Sequence, residues 1–350
     1  MSDDDYMRRC IQLAENGLGA VAPNPMVGAV IVHEGRIIGE GYHRRFGEAH
    51  AEVNAIARVA RPELLQQSTL YVNLEPCSHY GHTPPCSKLI ISKHIPRVVI
   101  ANVDPNPKVA GRGIRMMREA GIEVITGVLE KEGEWLNRRF FTFQRLHRPY
   151  IQLKWAQSAD GFLDRLREEN NAIPPVQISS ELTKLLVHKA RTEESAIMVG
   201  TNTAIKDNPK LTVRRWSGQN PVRVVVDRLL RIPSHYHVFD QSIPTLVYTE
   251  QKKGSLTNLT YILINFAENP LDQIMDDLFR RNILSLIVEG GQLLLDDFVK
   301  RGLWDEARVE IAPLWLGNGI KAPKLDGQIM NTELFDDIQI LTIRQAEKLD

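Results

Sequence analysis

Residues 69–86 read TLYVNLEPCSHYGHTPPC, and this stretch decides the fold of the first half of the chain. Thr69–Leu74 is an apolar, β-branched and aromatic run of strand length. It gives way to Glu75-Pro76-Cys77. Pro84-Pro85 then suits the first turn of a helix that Cys86 opens. Upstream, Val27–Val32 is β-branched and Glu34-Gly35 turns into Arg36–Tyr42, which predicts a hairpin. Met7, Cys10, Ile11 and Ala14 recur at helical spacing, with Asp3, Asp4 and Asp5 at the positive helix end. A helix is expected from about Ala49 to Ala60. Strand Val98–Ala101, helix Arg112–Ala120 and strand Ile122–Thr126 continue an alternation that argues an α/β layered sheet. Lys131–Leu146 reads as one charged, aromatic-bearing helical stretch, which Pro149 breaks.

A domain boundary is expected near residue 147, giving domains over 1–146 and 147–350. At 350 residues the chain is long enough for about two domains. The second half opens with strand Tyr150–Trp155 and alternates again. Helices are expected over 180–192, 271–281 and 292–301. Strands are expected at Ala196–Val199, Val222–Val226, Thr245–Tyr248, Leu259–Leu263, Leu284–Val288 and Ala307–Pro313.

Basic and acidic residues balance at 43 each, so no general field draws the chain to nucleic acid or an anionic membrane. A small-molecule substrate is the expectation. No apolar run is long enough to span a bilayer. The acidic N-terminus is the opposite of a targeting peptide. Three cysteines make no disulfide framework, so a cytoplasmic location with reduced, metal-competent thiols is expected.

His50-Ala51-Glu52, Pro76-Cys77 and Cys86 form the chemical constellation. One imidazole and two thiolates are a three-ligand set for zinc that leaves the fourth tetrahedral position to water. Helix N-termini favour thiolates. Zinc lowers the pKa of its water toward ~7. Glu52, two residues from His50, is the candidate proton carrier of a zinc deaminase. The general pattern for such enzymes is H-x-E followed by P-C-x-x-C, and here the second spacing is longer, with residues 78–85 between the cysteines. An H-x-E alone is uninformative, and two such cysteines are often plain buried thiols. The three parts together, in strand–helix context, point to a catalytic metal. Cys10, on an apolar helix face, reads as core.

The long loop Glu75–Cys86 resembles that of the bifunctional riboflavin-biosynthesis deaminase/reductase family. So do Pro23-Asn24-Pro25-Met26-Val27-Gly28, Gly47-Glu48-Ala49-His50-Ala51-Glu52, Asp104-Pro105-Asn106-Pro107 and Gly111-Arg112-Gly113. In the second half Gln152-Leu153-Lys154, Ser158-Ala159-Asp160-Gly161, Gly200-Thr201-Asn202-Thr203, Asp207-Asn208-Pro209, Leu211-Thr212-Val213-Arg214, Val224–Asp227, Val288-Glu289-Gly290-Gly291, Ala312-Pro313 and Leu316-Gly317 resemble its reductase. The resemblance implies a cytidine-deaminase-like three-layer domain followed by a dihydrofolate-reductase-like α/β domain. One stretch departs: Phe162–Val176 is longer and more charged than in the family, and Gln177 stands where a tryptophan is usual.

The resemblance implies zinc on His50, Cys77 and Cys86, with Glu52 catalytic. The substrate would be a phosphoribosylated diaminopyrimidinone that loses its 2-amino group. Asn24 and His43 are candidates for holding the base, since an amide can read both donor and acceptor on a ring edge. Asn24 between two prolines also reads as an ordinary turn residue. His79 and His82 are either sugar-phosphate contacts or exposed loop residues. The second reaction would reduce the ribosyl group with NADPH. No G-x-G-x-x-G follows a strand in the second half, so a Rossmann site is not indicated. The glycines after Glu289 instead let the backbone approach phosphate at a helix N-terminus. By resemblance Ala156, Gln177, Thr203, Asp207, Gly291, Gln292, Leu293, Leu294, Leu295, Asp296 and Asp297 serve NADPH. Arg191, Leu211, Arg214 and Glu289 serve the substrate, with Lys154 on its strand facing the cleft. Arginine offers phosphate a bidentate fork. Without the motifs these arginines would read as solvated surface charge. The family usually assembles into homo-oligomers, and the same is expected here. Three rivals stay open: a nucleoside or tRNA-base deaminase, a deaminase whose second half is only a binding or oligomerisation module, and a zinc-stapled structural protein.

Overall fold

The computed structural model describes residues 1–78, 84–106, 109–166 and 174–346. The backbone forms two compact units, Met1–His147 and Arg148–Asp350. In the first, the elements run α1 (Asp3–Glu15), β1 (Gly28–His33), β2 (Arg36–Tyr42), α2 (Ala51–Ile56), β3 (Thr69–Leu74), α3 (Cys86–Ser92), β4 (Arg97–Asn102), α4 (Arg112–Glu119), β5 (Glu123–Thr126), α5 (Glu130–Leu136) and α6 (Arg138–Leu146). A five-stranded sheet has the order β2-β1-β3-β4-β5. β1 is antiparallel to β2 and β3, and the remaining pairs are parallel. Side chains alternate across each strand. Ala29, Ile31, Leu70, Val72, Val98 and Ile100 share a core with residues of α2, α3 and α4. Val30, Val32, Tyr71 and Val99 pack with Tyr6, Met7 and Cys10 of α1. The result is three layers, and Cys10 is fully buried among its apolar neighbours.

Two helices differ from expectation. α2 is shorter than 49–60, with His50 as its N-cap. The chain leaves the helix at Ala57, and Val59 and Leu65 join the core beneath it. Gly41 on β2 allows this helix to lie close, because a Cβ there would collide with the backbone of Ala51 and Ala55. The stretch 131–146 is two helices, broken at Asn137. Its buried amide accepts from the Met26 N–H at 2.8 Å and donates to the Met26 carbonyl at 2.9 Å. The Asn137 backbone turns out of helical geometry there, while its N–H still donates to the Gly133 carbonyl.

The second unit runs β6 (Tyr150–Ser158), β7 (Phe162–Asp164), α7 (Glu181–Glu193), β8 (Ala196–Gly200), α8 (Thr201–Asp207), β9 (Val222–Val226), β10 (Thr245–Thr249), β11 (Leu259–Leu263), α9 (Pro270–Arg280), β12 (Ser285–Val288), α10 (Gln292–Arg301), β13 (Glu306–Ala312), β14 (Ile320–Lys321), β15 (Gly327–Phe335) and β16 (Ile338–Gln345). Nine strands form one sheet in the order β11-β10-β9-β8-β12-β6-β13-β16-β15. The strands from β11 to β13 are parallel, and β16 and β15 close the edge as an antiparallel hairpin. Sequence reading finds neither that hairpin nor α8. α8 has only 7 residues, too few to show helical periodicity, and most of β15 is exposed.

Ile151, Leu153 and Trp155 of β6 pack with the apolar faces of α9 and α10. Period two therefore turns Gln152, Lys154 and Ala156 to the opposite face of the sheet. In the register of β6 with β13, Gln152 lies opposite Glu306, Lys154 opposite Arg308 and Ala156 opposite Glu310. A polar strip thus runs across two adjacent strands.

Candidate active sites

In the first unit, His50 enters α2, Cys77 follows β3 and Cys86 opens α3. Their ligand atoms lie within 4.8 Å of one another. His50 Nδ1 is 3.6 Å from Cys77 Sγ and 3.4 Å from Cys86 Sγ. Around a tetrahedral zinc, bond lengths of about 2.0–2.1 Å to nitrogen and 2.3 Å to sulfur put N and S roughly 3.6 Å apart. The donor set fits that ion. The Cys86 N–H also donates to Cys77 Sγ at 3.3 Å, which favours a thiolate there.

Glu52 sits in the first turn of α2 and is 3% exposed. Its Oε2 has no hydrogen-bond partner among the described residues. Burial, then the neighbouring Cys77 sulfur, push its pKa up to about 7. A carboxyl at that value both accepts and returns a proton near neutrality. His43 is buried beside His50, the two rings 5.4 Å apart at 73°. Asn24 Nδ2 donates to His43 Nε2 at 3.1 Å, so Nδ1 carries the ring proton and donates to the Ala49 carbonyl at 3.2 Å. Burial holds the His43 pKa down, which keeps the ring neutral. Asn24, His43, His50 and Glu52 are thus brought together. His79 and His82 lie outside the described residues.

Several residues that hold this site in place escaped sequence reading. Glu75 is buried, and its carboxylate accepts from the backbone N–H groups of Asp104, Gly111, Gly113 and Ile114. It pins the turn before Cys77 to the start of α4. Gly113 is required there, because a Cβ would collide with the Pro76 carbonyl. Asn73 accepts from Gly28 N–H at 2.7 Å and donates to the Met26 carbonyl at 3.0 Å. With Asn137 it clamps the loop that carries Asn24. The signal for Glu75 was an acid beside the cysteine motif, answered by the glycines at 111 and 113.

In the second unit a cleft of about 340 Å³ is lined by Lys154, Ala156, Gln177, Arg191, Arg214 and Glu289 among others. Arg191 Nε and Nη2 meet the two Glu289 oxygens at 2.8 and 2.6 Å. Burial pushes the Glu289 carboxyl up, but Arg191 outweighs it and holds the pKa below the usual value. Arg191 Nη1 donates to the Thr212 carbonyl, and Arg214 N–H donates to His188 Nδ1 at 3.4 Å. The segment 211–214 is thereby folded over α7. Burial, then Arg191 and Arg214, lower the His188 pKa to about 4. His188, Ser179, Lys184 and Arg215 also line the cleft and were not foreseen.

The expected cofactor residues divide. Gly290 and Gly291 have positive φ, and a Cβ at Gly291 would come within 2.8 Å of Thr203 Oγ1. Thr203 therefore lies against the glycine turn that opens α10 with Gln292. Leu293 is exposed at the helix start, Leu294 is half-buried and Leu295 belongs to the core. Asp296 is half-buried on α10, and Asp297 pairs with Arg301 at 3.0 Å. Asp207 ends α8 and is exposed, whereas the Leu211 side chain is buried in the core under α7 and α8. Among the described residues no helix is long and apolar enough to cross a membrane.

A family model described as the RibD C-terminal domain matches residues 149–346, and one for the cytidine and deoxycytidylate deaminase zinc-binding region matches residues 1–102. The riboflavin biosynthesis protein RibD of Aquifex aeolicus is 42% identical over 324 residues, covering 91% of this chain and 89% of that protein. The RibD protein of Escherichia coli is 38% identical over 336 residues, covering 91% and 89%. Among solved structures, the diaminohydroxyphosphoribosylaminopyrimidine deaminase/5-amino-6-(5-phosphoribosylamino)uracil reductase of Thermotoga maritima is 36% identical with a TM-score of 0.88, covering 98% of this chain and 99% of that one. Acinetobacter baumannii RibD, form 1, is 31% identical with a TM-score of 0.89, covering 99% of each. A family model over each half, and relatives this similar across nine-tenths of the chain, leave one conclusion: the chain belongs to the RibD family of riboflavin biosynthesis proteins.

Proposed function

We propose that this chain catalyses two consecutive steps toward riboflavin. The first is hydrolytic deamination of 2,5-diamino-6-(5-phosphoribosylamino)pyrimidin-4(3H)-one. The second is NADPH-dependent reduction of the ribosyl side chain, giving 5-amino-6-(5-phosphoribitylamino)uracil. Residues 1–146 carry the deaminase and residues 147–350 the reductase. The observation that carries the reading is the buried Glu52 carboxylate, one oxygen of it without a partner among the described residues, beside three donors at zinc spacing.

His50, Cys77 and Cys86 hold the zinc, which when bound acts as a Lewis acid and makes water acidic enough to react near neutral pH. Glu52 accepts the water's proton, delivers it to the ring nitrogen and serves the departing ammonia. Asn24 and the neutral His43 hold the edge of the base. In the second unit NADPH, when bound, would supply a hydride to C1′ of the ribose. The C1′–O4′ bond breaks and O4′ gains a proton. Arg191 and Arg214 hold the substrate phosphate, Lys154 and Glu289 face the sugar, and Leu211 contributes its segment. Ala156, Gln177, Thr203, Asp207 and residues 291–297 would receive NADPH, the N-terminus of α10 being suited to phosphate. The enzyme works as a homo-oligomer in the cytoplasm.

The test is mass spectrometry of the products from the purified protein and the diaminopyrimidinone phosphate. Without NADPH the deaminated compound alone is expected, and with it the ribityl product. Deamination without any NADPH oxidation would reduce the second half to a binding module.

A further inference from the structure

Glu310 is fully buried on β13, on the strip of sheet that faces the cleft. Its Oε1 lies 3.4 Å from Lys154 Nζ and has no hydrogen bond among the described residues. Its Oε2 accepts from Ser179 Oγ at 2.7 Å. Both partners line the cleft. A buried carboxylate is costly to keep ionised unless it is paired and hydrogen-bonded. Both of this one's partners are groups of the cleft wall.

The charges around Lys154 explain the arrangement. Glu289 faces Lys154 from the turn after β12, but Arg191 holds both of its oxygens. Arg191 and His188 face the cleft from α7, and Arg308 lies opposite Lys154 in the sheet register. These bring positive charge or a neutral ring. Glu310 is the acid within salt-bridge distance of Lys154 among the described residues. We propose that Glu310 is a positioning residue for the reductase reaction. It keeps the Lys154 ammonium aimed into the cleft, and Ser179 fixes the carboxylate that does so. This rests on the reading of the cleft as the reductase site.

The test compares Glu310→Gln, Glu310→Asp, Lys154→Met and the double variant Lys154→Met/Glu310→Gln in single-turnover and steady-state reduction of the deaminated substrate. Glutamine keeps the shape and an acceptor for Ser179 but removes the charge. The expected result is a loss of about tenfold or more in kcat for Glu310→Gln, with KM changed less than about threefold. NADPH affinity should hold within about twofold, and Glu310→Asp should recover part of the rate. In the Lys154→Met background the same change should cost less than about twofold, because residues acting through one another are not additive. An equal loss in both backgrounds, or a normal kcat for Glu310→Gln, overturns the proposal while leaving the cleft as the reductase site. A Lys154→Met variant that reduces substrate at the normal rate overturns the assignment of Lys154 itself.

Discussion

The two sites are built in opposite ways. The first gathers its candidate metal donors and the carboxylate of Glu52 from three short sequence motifs, each next to an element end. Its critical carboxylate, Glu52, has no partner for one oxygen among the described residues. The second collects charged side chains from β6, α7, the segment after α8 and the turn before α10. There the acids are held: Glu289 by Arg191, Glu310 by Lys154 and Ser179. One site sets a buried carboxylate oxygen without a partner among the described residues close to three side chains spaced to hold a metal. The other pairs its acids with cations and keeps Arg214 and Arg215 on the same cleft wall. Both sites keep one buried carboxylate oxygen without a hydrogen bond among the described residues, on Glu52 and on Glu310, so the difference lies in charge: Glu289 and Glu310 each face a cation, and among the described residues Glu52 forms no salt bridge.

Glu52→Ala breaks the comparison most sharply. Zinc content measured by atomic absorption should stay at about one per chain, while deamination falls by roughly 10²–10⁴-fold. Cys86→Ala, or a strong chelator, should remove zinc and deamination together. In either case reduction of the deaminated substrate should proceed. Loss of reduction as well would show that the two sites are not independent.

Arg191→Met tests the balanced site. Glu289 would be left buried and unpaired, which costs about 3–5 kcal/mol in denaturant unfolding of the second unit. Arg191→Met/Glu289→Leu should recover most of that stability but not the reductase activity. If the single variant is as stable as the parent, the pair is not the strut described above.

Asn137→Ala probes the scaffold of the first site. It strands the Met26 N–H or leaves its carbonyl to Asn73 alone, so about 1–3 kcal/mol should be lost. The fall in deamination should exceed the fall in zinc affinity, because the clamp holds the Asn24 loop rather than the metal ligands.

The smallest expected effect is a pH dependence. His188 has its folded pKa lowered to about 4 from 6.5. As pH falls below 6.5 the unfolded chain takes up this proton before the folded one does. The stabilisation is therefore whole above 6.5 and is lost as pH falls toward 4. His188→Leu should flatten the unfolding-midpoint profile of the second unit across that window. An unchanged slope would remove the neutral His188 from the cleft description. The cleft is open to solvent, which keeps the effect modest.

The alternation of strands and helices was legible because burial on a sheet imposes period two and burial on a helix imposes the 3.6-residue repeat. The candidate metal donors were legible because each sits in a short motif, His50-Ala51-Glu52, Pro76-Cys77 and Cys86, at an end of α2, β3 or α3. Glu310 was not: it is one acid in the run Glu306, Arg308, Glu310, whose alternation marked a polar strand face without naming its partner. Asn137 was hidden inside a helical pattern, and its side-chain bonds run to Met26, far away in sequence.

By itself the sequence determined the layered α/β character of both halves and singled out His50, Cys77 and Cys86, whose ligand atoms the fold brings together, with Glu52 in the same motif as His50. These depend on local spacing, and local spacing is written in the chain. Only the tertiary structure decided which acid balances which base in the cleft, which amides clamp the Asn24 loop, and that an edge hairpin of β15 and β16 completes the second sheet. Those outcomes depend on which distant segments meet. A buried charge or amide takes whatever partner the packed backbone brings within reach.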